Sequence, residues 1–251
     1  MLIKIKKEME NTMNQESIRL NKYLSEKGIC SRREADRLTE EGKILVNGQV
    51  ATLGMKVIPE DEIMVNGEAV TKKKVKDVLI AVNKPRGVVC TTAEFETEQN
   101  IVDLVKYPTR IYPIGRLDKD SEGLILMTNN GDLVNKILKG SNNHEKEYVV
   151  VVNKQVTEKF LNGMRNGVPI LDTVTKPCSC EKSGNREFHI TLTQGLNRQI
   201  RRMCEYFGYR VEKLKRVRVM NIRLGNLPLG HYRNVTEKEL RQMKRMFQEN
   251  E

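Results

Sequence analysis

No stretch of this sequence approaches the roughly 18 consecutive apolar residues that cross a bilayer. The N-terminal MLIKIKKEMENTMNQES mixes lysines with glutamates where a signal peptide would carry an apolar core. A membrane-spanning protein is excluded on this reading, and a cytoplasmic location is expected. Cysteine is sparse and odd in number, and the five residues Cys30, Cys90, Cys178, Cys180 and Cys204 are too scattered for a disulfide framework. Cys178 and Cys180 form a CxC without a second pair at metal-ligand spacing, and His144, His189 and His231 lie far apart, so no metal is expected. Tandem repeats and low-complexity tracts are absent. What remains is a chain of 251 residues with 38% hydrophobic residues, enough for one large domain and a small companion.

Charge is present and unevenly spread. Of a net charge of +11, residues 197–223 supply a surplus of seven, with nine basic residues against two acidic ones. Such a concentration suits a phosphate-backbone partner, because each Lys or Arg seated on a phosphate releases counterions. On charge alone, a solvated basic face is the competing reading.

Local punctuation divides the chain. Residues 1–16 read as a leader of little order. Ser17–Glu26 reads as a helix with Leu20, Tyr23 and Leu24 on one face and Gly28 at its end. Ser31 opens a second helix through the capping box SRRE, in which Ser31 caps and Glu34 reaches back, and Gly42 closes it. Ile44–Val46 and Ile63–Val65 are strands turning at Asn47-Gly48 and Asn66-Gly67, the dipeptide that type I′ hairpins prefer. This unit spans 17–70, and the lysine-rich 71–77 is a linker to a larger domain at 78–251. There, Val78–Val82, Glu147–Val152 and Glu187–Thr193 read as strands. Gly131–Lys139, Thr157–Asn166, Asn197–Phe207 and a C-terminal segment with the capping box Thr236–Glu239 read as helices. The fold class is α+β.

Two segments could carry chemistry. PIGRLDKDSEGLILM (113–127) places Gly115, Arg116, Asp118 and Asp120 in a turn ahead of a strand-like run. Read from its residues, it could be a phosphoaspartyl site, which Gly115 and Arg116 disfavour by interrupting the strand before the first Asp, or a surface ion-pair turn. GLNRQIRRMCEYF (195–207) forms a helix with Ile200, Met203, Cys204 and Phe207 inward and Arg198, Arg201, Arg202 and Glu205 on another face. Arginines there can hold phosphates, and one at the boundary could turn inward to an anion.

Together these segments resemble a known family. GRLDKDSEGL is similar to the catalytic motif of the RsuA and RluB/E/F group of pseudouridine synthases. NKPRGVVCTT (83–92), KEYVV (146–150) and GLNRQIRRM (195–203) follow its other motifs in order. RLNKYLSEKGICSRREADRLTEEGKILVNGQVA resembles an S4 RNA-binding domain. The likeness covers about residues 17–247. Residues 1–12 have no counterpart in it, which makes Met13 an alternative start. The resemblance implies a small α/β S4 domain and a larger synthase domain on a mixed, mostly antiparallel sheet with flanking helices. It implies isomerisation of a uridine in 23S ribosomal RNA to pseudouridine, without a cofactor, by a monomer that binds structured RNA. By the match of motifs, Asp118 is the reacting carboxylate, Arg201 its charge partner, Tyr148 the ring that stacks on uracil, and Arg116 the residue that aids base flipping. Lys22, Arg32, Arg33, Arg37 and Lys43 would contact RNA from the S4 unit, and Arg198 and Arg202 from the synthase domain. A transfer-RNA substrate and a noncatalytic S4-type binding factor are the alternatives.

Overall fold

The computed structural model describes residues 17–71, 76–92, 99–139 and 143–248. The expected leader and the middle of the expected linker, residues 72–75, lie outside them. The chain divides into two compact units, Met1–Lys76 and Asp77–Glu251.

In the first unit, strand β1 (Ile18–Arg19) precedes helix α1 (Leu20–Glu26) and helix α2 (Arg32–Glu40). The first helix starts three residues later than Ser17, because Arg19 is extended and Ile18–Arg19 pair with β4 (Lys56–Val57). Ser31 Oγ accepts from the Glu34 amide at 3.1 Å. The reciprocal half of the expected capping box does not form, since the Glu34 carboxylate is taken by the Arg37 guanidinium one turn on. Strands β2 (Ile44–Val46) and β3 (Gln49–Val50) form one hairpin, and β5 (Ile63–Val65) and β6 (Glu68–Ala69) form another; they join in a sheet of order β3-β2-β5-β6. Asn47 and Asn66 both take φ 51°, the positive value a type I′ turn demands. Leu20, Tyr23 and Leu24 of α1 and Ala35 and Leu38 of α2 pack on Ile44, Val46, Ile63 and Val65 as one core.

The second unit runs β7 (Leu79–Lys84), α3 (Ile101–Val105), β8 (Tyr112–Pro113), β9 (Glu122–Thr128), α4 (Gly131–Leu138), β10 (Lys146–Val152) and α5 (Glu158–Arg165). It continues through β11 (Pro169–Ile170), β12 (Thr173–Val174), β13 (Ser179–Lys182), β14 (Glu187–Leu192), α6 (Gln199–Tyr206), β15 (Val211–Val219), β16 (Ile222–Arg223), β17 (Tyr232–Asn234) and α7 (Glu237–Gln248). Among the described residues, nine strands make one sheet. Its main order is β13-β14-β10-β15-β9-β7-β17, with β16 on β15 and β8 on β9. Only β15 and β9 run parallel; the sheet is mixed and mostly antiparallel, flanked by helices.

Period-two alternation sends Val150, Val152, Phe188, Ile190, Leu192 and Leu214 to one face, where Phe160, Leu161 and Met164 of α5 and Ile200, Met203 and Cys204 of α6 cover them. Burying each such side chain contributes about 1.5–3 kcal/mol. Ile80, Val82, Ile125 and Met127 pack with Ile101 and Val105 of α3, and Tyr148 touches both of these clusters. Met243 and Phe247 of α7 and Ile137 of α4 cover Ala81, Leu124 and Leu126. Helix α7 opens with the expected capping box: Glu239 N donates to Thr236 Oγ1 at 3.2 Å, and Thr236 N to Glu239 Oε2 at 2.8 Å.

The most basic part of the chain is not a surface tail. It becomes β15, in the middle of the sheet, with Leu214 and Arg216 on the buried side opposite Val150 and Tyr148. Strand β7 likewise runs two polar residues further than its apolar pattern, because both find internal acceptors. Asn83 Nδ2 donates to the Leu227 carbonyl at 2.8 Å, and Lys84 Nζ to the Pro85 and Val88 carbonyls at 2.9 and 2.8 Å.

Candidate active site

The segment GRLDKD leads into β9, and its backbone is fixed from three sides. Ser121 N donates to the Asp118 carbonyl at 3.0 Å, Gly87 N to the Lys119 carbonyl at 2.7 Å, and Leu117 N to Cys90 Sγ at 3.4 Å. Gly123, at φ 104°, admits no side chain, because a Cβ there would sit 2.3 Å from the Arg216 carbonyl oxygen on β15. The loop therefore presses directly on the strand that carries Arg216.

Helix α6 brings the arginines to this loop across about eighty residues of sequence. Arg198, its N-cap, adopts φ 48°, a left-handed conformation that costs about 1–3 kcal/mol in a non-glycine residue. From there its Nη1 lies 3.5 Å from Asp118 Oδ2 and 3.3 Å from Asp120 Oδ1. Arg201 is 7% exposed. Its Nη2 reaches the Asp120 carbonyl, Ser121 Oγ and Asp120 Oδ2, all at 3.2 Å. Its Nε is buried without an acceptor and lies 4.0 Å from Asp118 Oδ2. Arg201 thus stands beside Asp118, as the motif match implies, but its shorter ion pair is with Asp120. Burial raises the Asp120 pKa, but the Arg198 hydrogen bond and the charges of Arg201 and Arg198 outweigh it, leaving that carboxyl below its ordinary value. Burial lowers the Arg201 pKa, with Asp120 and then Asp118 opposing.

Asp118 opens into a cleft of about 370 Å³, in the range of small-molecule sites. Arg116 and Arg198 stand at its exposed rim, and Tyr148, Lys146, Arg216, Leu214 and Val219 line its interior. Tyr148 is half-buried, directly opposite Arg216 in the β10–β15 pairing. Arg202 is turned away, with Nε and Nη2 bound to the Asn197 carbonyl and Oδ1 at 3.1 and 3.2 Å. Arg86, Lys119 and Arg198 border a second, more open depression that also reaches Asp118.

Three polar residues of this neighbourhood lie in segments the sequence singled out but carry no role in that reading. Lys84 is fully buried, and burial lowers its pKa against the opposing charges of Cys90, Asp120 and Asp118. Arg216 is 4% exposed. Lys146 is depressed by burial and by Arg216. The alternation Leu214, Arg216 against Lys213, Lys215 was the available signal for Arg216. The Lys84-Pro85 pair offered none for Lys84, because lysine in sequence reads as surface.

In the first unit, Arg37 pairs with Glu34 and Glu41, Lys22 with Glu26 at 3.5 Å, and Lys43 with Glu41 at 2.7 Å. Arg32 and Arg33 are exposed and make no ion pair among the described residues. Among the described residues no helix is long and apolar enough to cross a membrane.

Residues 78–206 match the family model for RNA pseudouridylate synthase, and residues 18–63 match that for the S4 domain. The dual-specificity RNA pseudouridine synthase RluF of Escherichia coli (strain K12) is 58% identical over 225 residues, covering 89% of this chain and 77% of that protein. Ribosomal large subunit pseudouridine synthase B of Bacillus subtilis (strain 168) is 36% identical over 234 residues, covering 90% and 95% respectively. Among solved structures, one described as a pseudouridylate synthase superposes with a TM-score of 0.67 at 27% identity, over 90% of this chain and all of that one.

Proposed function

The chain belongs to the RNA pseudouridylate synthase family, and from that premise we propose that it isomerises a uridine of large-subunit ribosomal RNA, with Asp118 as the reacting carboxylate. The observation that carries the reading is the meeting of GRLD and α6, which leaves Asp118 in a cleft with a buried guanidinium 4.0 Å away. Relatives named for the ribosomal large subunit favour that RNA, and the dual specificity in the name of another favours a second RNA class beside it.

A base inside a helix cannot reach a carboxylate, so the target uridine must leave its stack. Arg116, exposed at the rim, fills the place it vacates. Inside, the uracil stacks on Tyr148 while Asp118 acts on the sugar as nucleophile or base. The C1′–N1 bond breaks, with its electron pair leaving on the uracil. The ring turns, C5 bonds to C1′ and releases its proton, and N1 takes one up. No electrons are gained or lost. Arg32 and Arg33, two exposed arginines of α2 without an ion pair among the described residues, make the principal phosphate contacts of that unit, with Lys22, Arg37 and Lys43 as exchangeable neighbours. Arg198 bridges the RNA backbone and the acidic loop, and Arg202 supports it through Asn197.

The test is to incubate the full chain with unmodified ribosomal RNA transcripts and with unmodified transfer RNA, and to map pseudouridine at nucleotide resolution. A single modified uridine in the large-subunit transcript is expected. Modification of transfer RNA alone would move the substrate to that class, and none in either would overturn both.

Tyr148→Leu is expected to lower the single-turnover rate by about 5- to 150-fold, the equivalent of about 1–3 kcal/mol of base stacking. Tyr148→Phe should lose far less, since the phenol oxygen has no hydrogen-bond partner among the described residues. Equal losses in the two variants would put the function in the hydroxyl instead of the ring.

A further inference from the structure

Lys146 and Arg216 are two cations on one cleft wall with no carboxylate between them. Lys146 Nζ donates to the His144 carbonyl at 3.1 Å, and Arg216 Nε to the Leu124 carbonyl at 2.7 Å. Among the described residues neither makes an ion pair. The charge that acts on Lys146 is that of Arg216, which repels it. A guanidinium has five N–H donors and an ammonium three, so most of their donors are left over at a site where Arg216 is 4% exposed. Two like charges side by side, Arg216 buried and Lys146 half-buried, are costly unless something accepts from them. Among the described residues one backbone carbonyl accepts from each and no carboxylate pairs with either, and both side chains line the cleft that holds Asp118 and Tyr148.

The surroundings define the acceptor. Tyr148, Leu214 and Val219 give this part of the cleft flat apolar walls, and Arg216 is the direct cross-strand neighbour of Tyr148. A phosphodiester would have to shed its hydration to enter, whereas the exposed Arg116 and Arg198 at the rim can meet phosphates in water. A uracil stacked on Tyr148 offers two carbonyl oxygens in the plane of its ring. When the C1′–N1 bond breaks, the pair of electrons that leaves with the ring spreads onto those oxygens, so negative charge grows there as the bond lengthens.

We infer that Lys146 and Arg216 bind the uracil carbonyls and stabilise the detached uracil anion while it turns between N1 and C5. This deepens the synthase reading and rests on it. The two residues act as fixed donors aimed at charge that develops in the reaction, and they hold the ring when no covalent bond ties it to the sugar.

The experiment uses the full chain and two RNAs, one with uridine at the mapped site and one with 5-fluorouridine there, whose fluorine withdraws charge and makes the ring a better leaving group. Lys146→Met and Arg216→Lys are measured for RNA affinity, thermal melting and the single-turnover rate of C1′–N1 cleavage, followed by nucleoside mass spectrometry. On uridine RNA each variant is expected to lose about 100-fold, the cost of removing one such donor, with affinity within two-fold of the wild type. On 5-fluorouridine RNA the loss should shrink to about 10-fold or less, since less stabilisation is then required of the protein. Equal losses on both RNAs, or unchanged rates, would overturn the inference. Weakened affinity with a shallower salt dependence would overturn it too, and would identify a phosphate seat. Should Arg216→Lys fail to fold, because its bond to the Leu124 carbonyl joins two strands, Lys146→Met alone decides the question. A wild-type chain inactive on uridine RNA would be a failure of the synthase reading instead.

Discussion

Asp118→Asn is expected to abolish pseudouridine formation, by at least about 10⁴-fold, while RNA affinity stays within about two-fold. The substitution keeps the shape of the side chain and removes the charge that must attack the sugar or take its proton. Asp120 is the natural control, since it lies in the same loop, carries the same group and holds the shorter ion pair to Arg201, 3.2 Å against 4.0 Å. A carboxylate engaged by Arg198 and Arg201 has its oxygens occupied, and Asp120, unlike Asp118, does not line the cleft that holds Tyr148. Asp120→Asn is therefore expected to cost no more than about ten-fold, mostly through a less firmly held Arg201. Single-turnover assays of both variants at saturating RNA decide the matter. Turnover surviving in Asp118→Asn with a dead Asp120→Asn would move the reacting carboxylate two residues along.

How far the sequence reached depended on the range of the interaction involved. The Thr236–Glu239 capping box, the two Asn-Gly turns and the Ser31 cap need only neighbours three or four residues away, and they form as the residues dictate. Glu34 failed to complete its box because a second local partner, Arg37, competed for the same carboxylate. Helix α1 lost its first turn to a pairing with β4, nearly forty residues distant, which no local pattern announces. The same logic governs the site. The GRLD loop and the basic helix were legible as motifs, but a lysine or arginine looks alike in sequence whether it faces water or a buried carbonyl. Arg216 is interior because β15 lies beside β9 and meets its Leu124 carbonyl, and Lys84 because the turn after β7 folds the Pro85 and Val88 carbonyls onto its ammonium. Strand β15 shows the conflict most clearly: its charge argues for a surface, and its alternation, overlooked beside that charge, argues for a strand with one buried face.

Removing the guanidinium of Arg201 should bring the second large effect. This side chain does two jobs that different variants can separate. Through Nη2 it ties the Asp120 carbonyl, the Asp120 carboxylate and Ser121 Oγ together, and through Nη1 it reaches the Val211 carbonyl at 3.5 Å, so it braces the loop that carries Asp118. Through its buried and otherwise unsatisfied Nε it faces Asp118 Oδ2, and a shift of about 1 Å would turn that 4.0 Å approach into a charge-assisted hydrogen bond. Arg201→Ala is expected to lower the single-turnover rate by about 10²–10³-fold. It should also lower unfolding stability by about 2–3 kcal/mol, less than the 3–5 kcal/mol typical of a broken buried pair because both carboxylates are partly exposed. Arg201→Lys keeps the charge, but one ammonium cannot serve Asp120, Ser121 and Asp118 together, since it lacks the planar fork. Lysine should recover much of the stability and little of the rate. Urea melts beside single-turnover kinetics read the two jobs independently. If lysine restored rate and stability in equal measure, a positive charge alone would suffice and the aimed Nε would have no special part. If alanine melted lower yet kept its rate, Arg201 would be a brace for the loop and nothing more.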